Sequence, residues 1–202
     1  MRIVLASGNA GKLRELAAIL GPLGHELVAQ SSLGIETPPE TGTTFVANAL
    51  LKARFAAAKS GLPALADDSG IEVDALGGRP GVYSARFAGE HASDRENLDK
   101  MLAELQGVAV ERRAARYQCV IVLARGADDA VPLVAQGTWE GRIVNAPRGT
   151  GGFGYDPIFQ PVGMTVTAAE LTPADKNARS HRGQALRALS EQLGRADIAT
   201  SR

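Results

Sequence analysis

Ile3-Val4-Leu5-Ala6-Ser7-Gly8-Asn9-Ala10-Gly11-Lys12-Leu13 sets the architecture near the start of the chain. Three bulky apolar residues make a short strand, which the small and polar run Ser7 to Gly11 stops. Leu13, Leu16, Ala17 and Leu20 then recur at i, i+3, i+4 and i+7, the period of a helix with one buried face. The reading is strand, tight loop, then a helix that begins near Lys12 and ends at Gly21-Pro22. Leu27-Val28-Ala29 supplies a second strand.

The same signals continue outward. Thr43 or Thr44 can cap a helix running to about Ser60. Leu65-Ala66 and Ile71 to Asp74 read as two strands on either side of Asp67-Asp68-Ser69-Gly70. Ser93-Asp94-Arg95-Glu96 has the form of a capping box, and Leu98, Met101, Leu102 and Leu105 mark the buried face behind it. Arg116 to Leu123 and Leu133 to Val144 read as long strands joined by a polar loop. Thr172-Pro173 opens the last helical region, which Leu186, Leu189 and Leu193 carry onward. Helices and strands alternate early and long strands gather in the middle, which gives an α/β or α+β mixed sheet with helices packed on it. No linker divides the chain, so one domain over residues 1–202 is expected.

Composition narrows the function classes. Lys+Arg and Asp+Glu each number 22. A net charge of zero argues against a protein of duplex nucleic acid, which needs a basic excess. A small anion needs only a few placed donors. The single cysteine, Cys119, has no partner for an internal disulfide and lies in the apolar run 119–123, so a buried thiol in a reducing cytosol is the simple reading. The N-terminal apolar stretch is too short for a signal peptide or a membrane span.

Two motifs fail on inspection. Gly8-Asn9-Ala10-Gly11-Lys12 has two residues between its glycines where a P-loop has four, and Leu13 follows the lysine where Ser or Thr belongs. The physical logic of a strand-to-helix turn still holds: backbone N–H groups and a helix N-terminus face an anion, with Lys12 as a point charge. Gly149-Thr150-Gly151-Gly152-Phe153-Gly154 matches G-x-G-x-x-G by spacing alone. Neither a buried strand before it nor a helix after it supports a dinucleotide fold.

Asp67 and Asp68 carry the chemistry. Adjacent carboxylates at a strand end are costly without a nearby cation, and Mg²⁺ takes carboxylate oxygens together with substrate phosphates and water. Neighbours in a strand point to opposite faces, so at most one of the pair faces a site directly. Glu40 stands at the entrance of the next helix, and Asn48 and Lys52 share one face of it with Thr44. That stripe suits a metal–triphosphate complex or, alternatively, is an ordinary solvated face. Lys176, His181 and Arg182 lie close in sequence, and His181 and Arg182 sit at a break in the helical pattern. Both carry donors suited to a purine keto oxygen. Phe153, flanked by glycines, suits stacking on a base or loop packing.

Six segments together resemble the inosine triphosphate pyrophosphatase family, in particular its bacterial XTP/dITP diphosphatase branch. They are residues 6–12; Glu40-Thr41-Gly42 with Asn48-Ala49 and Lys52-Ala53; residues 66–70; residues 76–86; residues 149–157; and Ser180-His181-Arg182-Gly183. Position 7 is Ser where many relatives have Thr, which keeps the hydroxyl. The resemblance implies an elongated α/β fold, with a mixed sheet flanked by helices and two lobes around a central nucleotide cleft. It also implies a cytoplasmic homodimer dependent on Mg²⁺, acting on purine nucleoside triphosphates. By match to the family pattern, Asp68 is the general base and a metal ligand, and Glu40 helps hold the metal. Ser7, Gly8, Asn9, Ala10, Gly11 and Lys12, with Lys52 and Ser69, would hold phosphate or sugar. Phe153, Gly154, Tyr155 and Asp156, with Lys176, His181 and Arg182, would hold and read the base.

Overall fold

A computed structural model describes residues 1–200, except for the side chains of Leu23 and residues 195–200. Residues 201 and 202 of the expected single domain lie outside the described residues. The main elements are β1 (Arg2–Leu5), α1 (Ala10–Leu20), β2 (Glu26–Ala29), α2 (Phe45–Ser60), β3 (Ala64–Val73), α3 (Asp94–Glu104), β4 (Ala114–Ala124), β5 (Leu133–Ile143), β6 (Phe159–Pro161), α4 (Pro173–Arg179) and α5 (His181–Thr200). Six strands form one sheet in the order β2-β1-β3-β4-β5-β6. β1 runs parallel to β2 and β3, whereas β5 and β6 are antiparallel. The fold is therefore α/β with a mixed sheet and flanking helices.

The chain groups into two compact units. One takes residues 1–68, 119–137 and the segment from Arg182 onward; the other takes residues 69–118 and 138–181.

In the first unit, alternation along the strands decides which helix covers which face. Ile3, Leu5, Leu65, Ile121 and Leu123 pack against Leu16 and Leu20 of α1 and Leu186 and Leu189 of α5. Their strand neighbours Val4, Ala6, Ala64, Ala66 and Val122 pack against Ala49, Ala53, Ala56 and Ala57 of α2. A period of two on the strands thus meets periods of three and four on the helices. Each fully buried leucine contributes roughly 1.5–3 kcal/mol by leaving water. The alanine stripe of α2 contributes less per residue, but it lets that helix come close to the sheet. Asn48 and Lys52, on the same side of α2, are brought in with it, and both are buried.

Cys119 belongs to the α1/α5 side of this core. Burial pushes its thiol up to about 12, which leaves it protonated and inert at neutral pH, as the sequence reading expects.

In the second unit, Leu98, Met101 and Leu105 of α3 pack with Ile71, Val73, Tyr117, Trp139 and Phe159. Leu102, expected on the same face, is only half-buried. The capping box at Ser93 and Glu96 forms in both directions. Thr172 caps α4, with Pro173 at its first position.

Two local expectations are corrected. Helix α1 starts at Ala10, earlier than Lys12, because the Asn9 side chain accepts from Lys12 N at 3.1 Å and draws Ala10 and Gly11 into the first turn. Asp67-Asp68-Ser69-Gly70 does not separate two strands. It lies inside the continuous strand β3. The polar run extends because each carboxylate meets its own cations on its own face. Gly70 is required there by close approach: a Cβ would sit 2.6 Å from Ser84 Oγ and collide with the Gly81 carbonyl.

Candidate active site

The first unit gathers charge around β3. Alternation sends Asp67 to the α1/α5 side and Asp68 to the α2 side. Asp67 is fully buried; Lys12 Nζ lies 3.2 Å from its Oδ2, and Arg182 donates to the same oxygen from Nη2 at 2.9 Å and from Nε at 3.2 Å. Arg182 Nη1 also donates to Glu15. On the other face, Lys52 Nζ donates to Asp68 Oδ1 at 3.1 Å and to Glu40 Oε1 at 2.5 Å. Asn48 completes the Asp68 carboxylate: its Nδ2 donates to Oδ2 at 3.1 Å, while its Oδ1 accepts from Gly42 N at 2.8 Å. Gly42 is glycine because a Cβ there would stand 2.6 Å from that same Asn48 oxygen.

The two aspartates are tuned in opposite directions. Burial works against the Asp67 charge, yet Lys12, Arg182 and Lys52 together hold its carboxyl well below the usual range. Burial raises the pKa of Asp68; Lys52 and Lys12 oppose the rise without cancelling it, and Glu40 adds to it. Burial also works against the Lys52 ammonium, but Asp68, Asp67 and Glu40 outweigh it and raise its pKa. Asp67 is thus a permanent anion bonded to its cations. Asp68 is the carboxylate readier to take a proton, which is what a general base needs.

The residues fit a divalent cation. Glu40 and Asp68 already converge on one positive group, the Lys52 ammonium. Four carboxylates (Glu15, Glu40, Asp67 and Asp68) face three cations (Lys12, Lys52 and Arg182). The residual negative charge can accept a metal only if that metal brings its own anion, as Mg²⁺ does when phosphate oxygens complete its shell. Among the described residues no group of three or more His, Cys, Asp or Glu could hold a metal on its own. Two carboxylates with substrate phosphate and water suit Mg²⁺ better than a closed protein cage would.

The β1–α1 loop lies in the same unit. Ser7 is buried, and its Oγ accepts from Asn9 N at 3.2 Å. A recess of about 400 Å³ adjoins Ser7 and Gly8, lined also by Gln30, Ser31 and Thr37. Ser69, the next residue along β3, is half-buried in the second unit.

The second unit builds the glycine-rich loop. Asp156 Oδ2 accepts from Phe153 N at 2.9 Å and from Lys176 Nζ at 2.5 Å. The same ammonium stands 4.7 Å from the Phe153 ring centroid. Gly149, Gly152 and Gly154 all have positive φ, and at Gly152 a Cβ would collide with the Asp156 carboxylate. Tyr155 is buried, with its hydroxyl donating to Ser84 O at 2.8 Å, and burial with nearby Asp94 pushes its pKa upward. His181 is buried with its ring stacked on Tyr117, at 4.6 Å and 6°.

The structure thus brings Lys12, Lys52 and Asp68 with Glu40 into one charged cluster, and Phe153, Asp156 and Lys176 into another. His181 and Arg182 are adjacent in sequence but have separate partners, an aromatic ring and two carboxylates. The sequence places Asn48 on the Lys52 stripe but does not single out Glu15. Asn48 had a signal, its i, i+4 spacing with Lys52. Glu15 is three residues from Lys12 on α1, a spacing that puts both on one face.

The fold and these clusters define an α/β protein with a strand-to-helix loop in the same unit as a buried carboxylate–lysine group. The chain belongs to the Ham1 family, whose model matches residues 3–192. A protein named dITP/XTP pyrophosphatase from Yersinia pseudotuberculosis is 57% identical over 192 residues, covering 95% of this chain and 98% of its own. One of the same name from Escherichia coli O157:H7 is 56% identical over 192 residues, with the same coverage. Among solved structures, a HAM1 protein from Coxiella burnetii superposes with a TM-score of 0.88 at 48% identity, covering 96% of this chain and 99% of that one.

Proposed function

We propose that this chain hydrolyses non-standard purine nucleoside triphosphates (ITP, dITP and XTP) to the nucleoside monophosphate and pyrophosphate, with Mg²⁺, and so removes them from the nucleotide pool. The observation that carries the reading is the paired environment of Asp67 and Asp68, one fixed as an anion and one readier to accept a proton, in a chain more than half identical to proteins bearing that name. A cytoplasmic homodimer follows from the same resemblance. No helix among the described residues is long and apolar enough to cross a membrane.

In this reading water attacks the α-phosphorus. A P–O bond forms to the water oxygen, the α–β bridging P–O bond breaks, and pyrophosphate leaves. Asp68 orients the water and accepts its proton. Lys52 and Asn48 keep the carboxylate in place by holding one oxygen each. Lys12 and the β1–α1 loop offer charge and backbone N–H groups to the phosphates. Glu40 and Asp68 would hold Mg²⁺, which when bound neutralises the triphosphate oxygens.

Base choice falls to Phe153 to Asp156 with Lys176 and His181, whereas Arg182, expected among them, donates to Asp67 and Glu15 and holds the Asp67 carboxylate instead. Hypoxanthine and xanthine present a 6-keto acceptor where adenine has an amino donor, so aimed donors disfavour ATP. One mismatched contact costs about 1–3 kcal/mol, roughly ten- to a hundredfold. The test is pyrophosphate release from ITP, XTP, GTP, ATP and dTTP, with Mg²⁺ and with EDTA. The expected result is turnover of ITP and XTP well above the other three, abolished by EDTA. Equal turnover of ATP, or activity that survives EDTA, would refute the reading.

A further inference from the structure

The loop that carries Phe153 is tied at both ends of its critical turn, and only one tie belongs to the residues already assigned. On one side Asp156 accepts from Phe153 N, and Lys176 locks that carboxylate. On the other, Gly154 N donates to Asp94 Oδ2 at 2.7 Å, a contact that joins positions 60 residues apart. Asp94 is the first residue of α3, directly after the capping serine. Ser93 and Glu96 already satisfy that helix start reciprocally, so the Asp94 carboxylate is not needed to cap it.

The geometry gives this contact leverage. Gly154 has φ +61°, in the left-handed region that glycine adopts without strain, and its amide is the group that donates to Asp94. The Phe153–Gly154 peptide plane follows from where that amide points. That plane, with Phe153 N held by Asp156, sets the backbone on both sides of the Phe153 Cα. The direction of the Phe153 Cα–Cβ bond is thereby set.

We propose that Asp94 is a positioning residue for substrate binding, acting through Gly154 to hold the Phe153 loop ready for the purine base. The proposal rests on the reading that this loop holds the base. A preorganised loop removes part of the ordering cost of binding, so its loss falls on KM and leaves the chemical step at Asp68 alone.

The test uses the full-length chain with Mg²⁺ and ITP. Asp94→Ala is expected to raise KM about tenfold with kcat within about twofold, the scale of one charge-assisted hydrogen bond at an exposed site. Asp94→Asn keeps an acceptor oxygen and is expected to restore most of the KM. Amide hydrogen exchange over 153–156 should accelerate in the alanine variant and not in the asparagine one, with the melting temperature unchanged. Parent values of both KM and exchange in Asp94→Ala would overturn the proposal. Faster exchange confined to 153–156 with KM unchanged would uphold the tie and overturn the reading of this loop as the base site. A fall in kcat with faster exchange throughout α3, not rescued by Asp94→Asn, would make Asp94 part of the scaffold and likewise overturn it.

Discussion

Asp68→Asn is expected to lower kcat for ITP hydrolysis by about two to four orders of magnitude while leaving the fold intact, the range for loss of a positioned general base. The amide has the shape of the carboxylate and can still pair with Asn48. Lys52 keeps Glu40 as its partner at 2.5 Å, so no cation is left buried alone. What is lost is the ability to accept a proton, together with an anionic oxygen for Mg²⁺. The pH dependence carries the same signature. Asp68 must be ionised to act, and burial raises its pKa. In the parent, kcat/KM therefore falls with decreasing pH as Asp68 takes up its proton. The residual activity of the variant should lack that fall. The measurement is pyrophosphate release across pH alongside circular dichroism; a folded variant turning over at the parent rate would show that Asp68 is not the base.

Arg182→Ala is expected to lower the unfolding free energy by about 3 kcal/mol. Removing one partner of a buried ion pair costs about 3–5 kcal/mol, because the other charge stays behind without compensation. Arg182 is 1% exposed and serves both Asp67 and Glu15. Lys12 still faces Asp67, which places the effect at the low end of that range. Arg182→Lys should recover only part of the loss, since a single ammonium cannot reproduce a guanidinium that engages two carboxylates. The acid sensitivity follows from the sign of the Asp67 shift. Its folded pKa lies below the unfolded value, so its stabilisation is full above the ordinary carboxylate pKa and is lost as pH falls from there through the depressed folded pKa. With Arg182 gone the depression is smaller, and less stability remains to be lost on acidification. Urea unfolding at neutral and acid pH checks both statements. An unchanged midpoint at neutral pH would mean that Arg182 does not hold this core together.

These two residues also show where sequence reasoning runs out. Caps and periodicity are local, so Thr44, Ser93 and Thr172 each announce their helices within four residues, and the structure has all three in place. The interruption expected at Asp67 to Gly70 fails because charge and glycine usually mark a turn. Here the cations that let the strand continue come from α1, α2 and α5. Arg182 lies 115 residues from Asp67 and 167 from Glu15, and nothing in its own neighbourhood reveals those partners. The assembly of Glu40, Asn48 and Lys52 was nearer to legible, since two of them share a helix face. Asp94 reads as an acidic residue in a helix's first turn, which it is, and its contact with Gly154 leaves no mark in either local sequence.

The central claim is that water attacks the α-phosphorus with Asp68 as base, and isotopic labelling tests it most directly. ITP is hydrolysed in ¹⁸O-enriched water with Mg²⁺, and the products are analysed by mass spectrometry. The account predicts one labelled oxygen in the nucleoside monophosphate, unlabelled pyrophosphate and no orthophosphate. Label in the pyrophosphate, or release of orthophosphate with a nucleoside diphosphate, would contradict it.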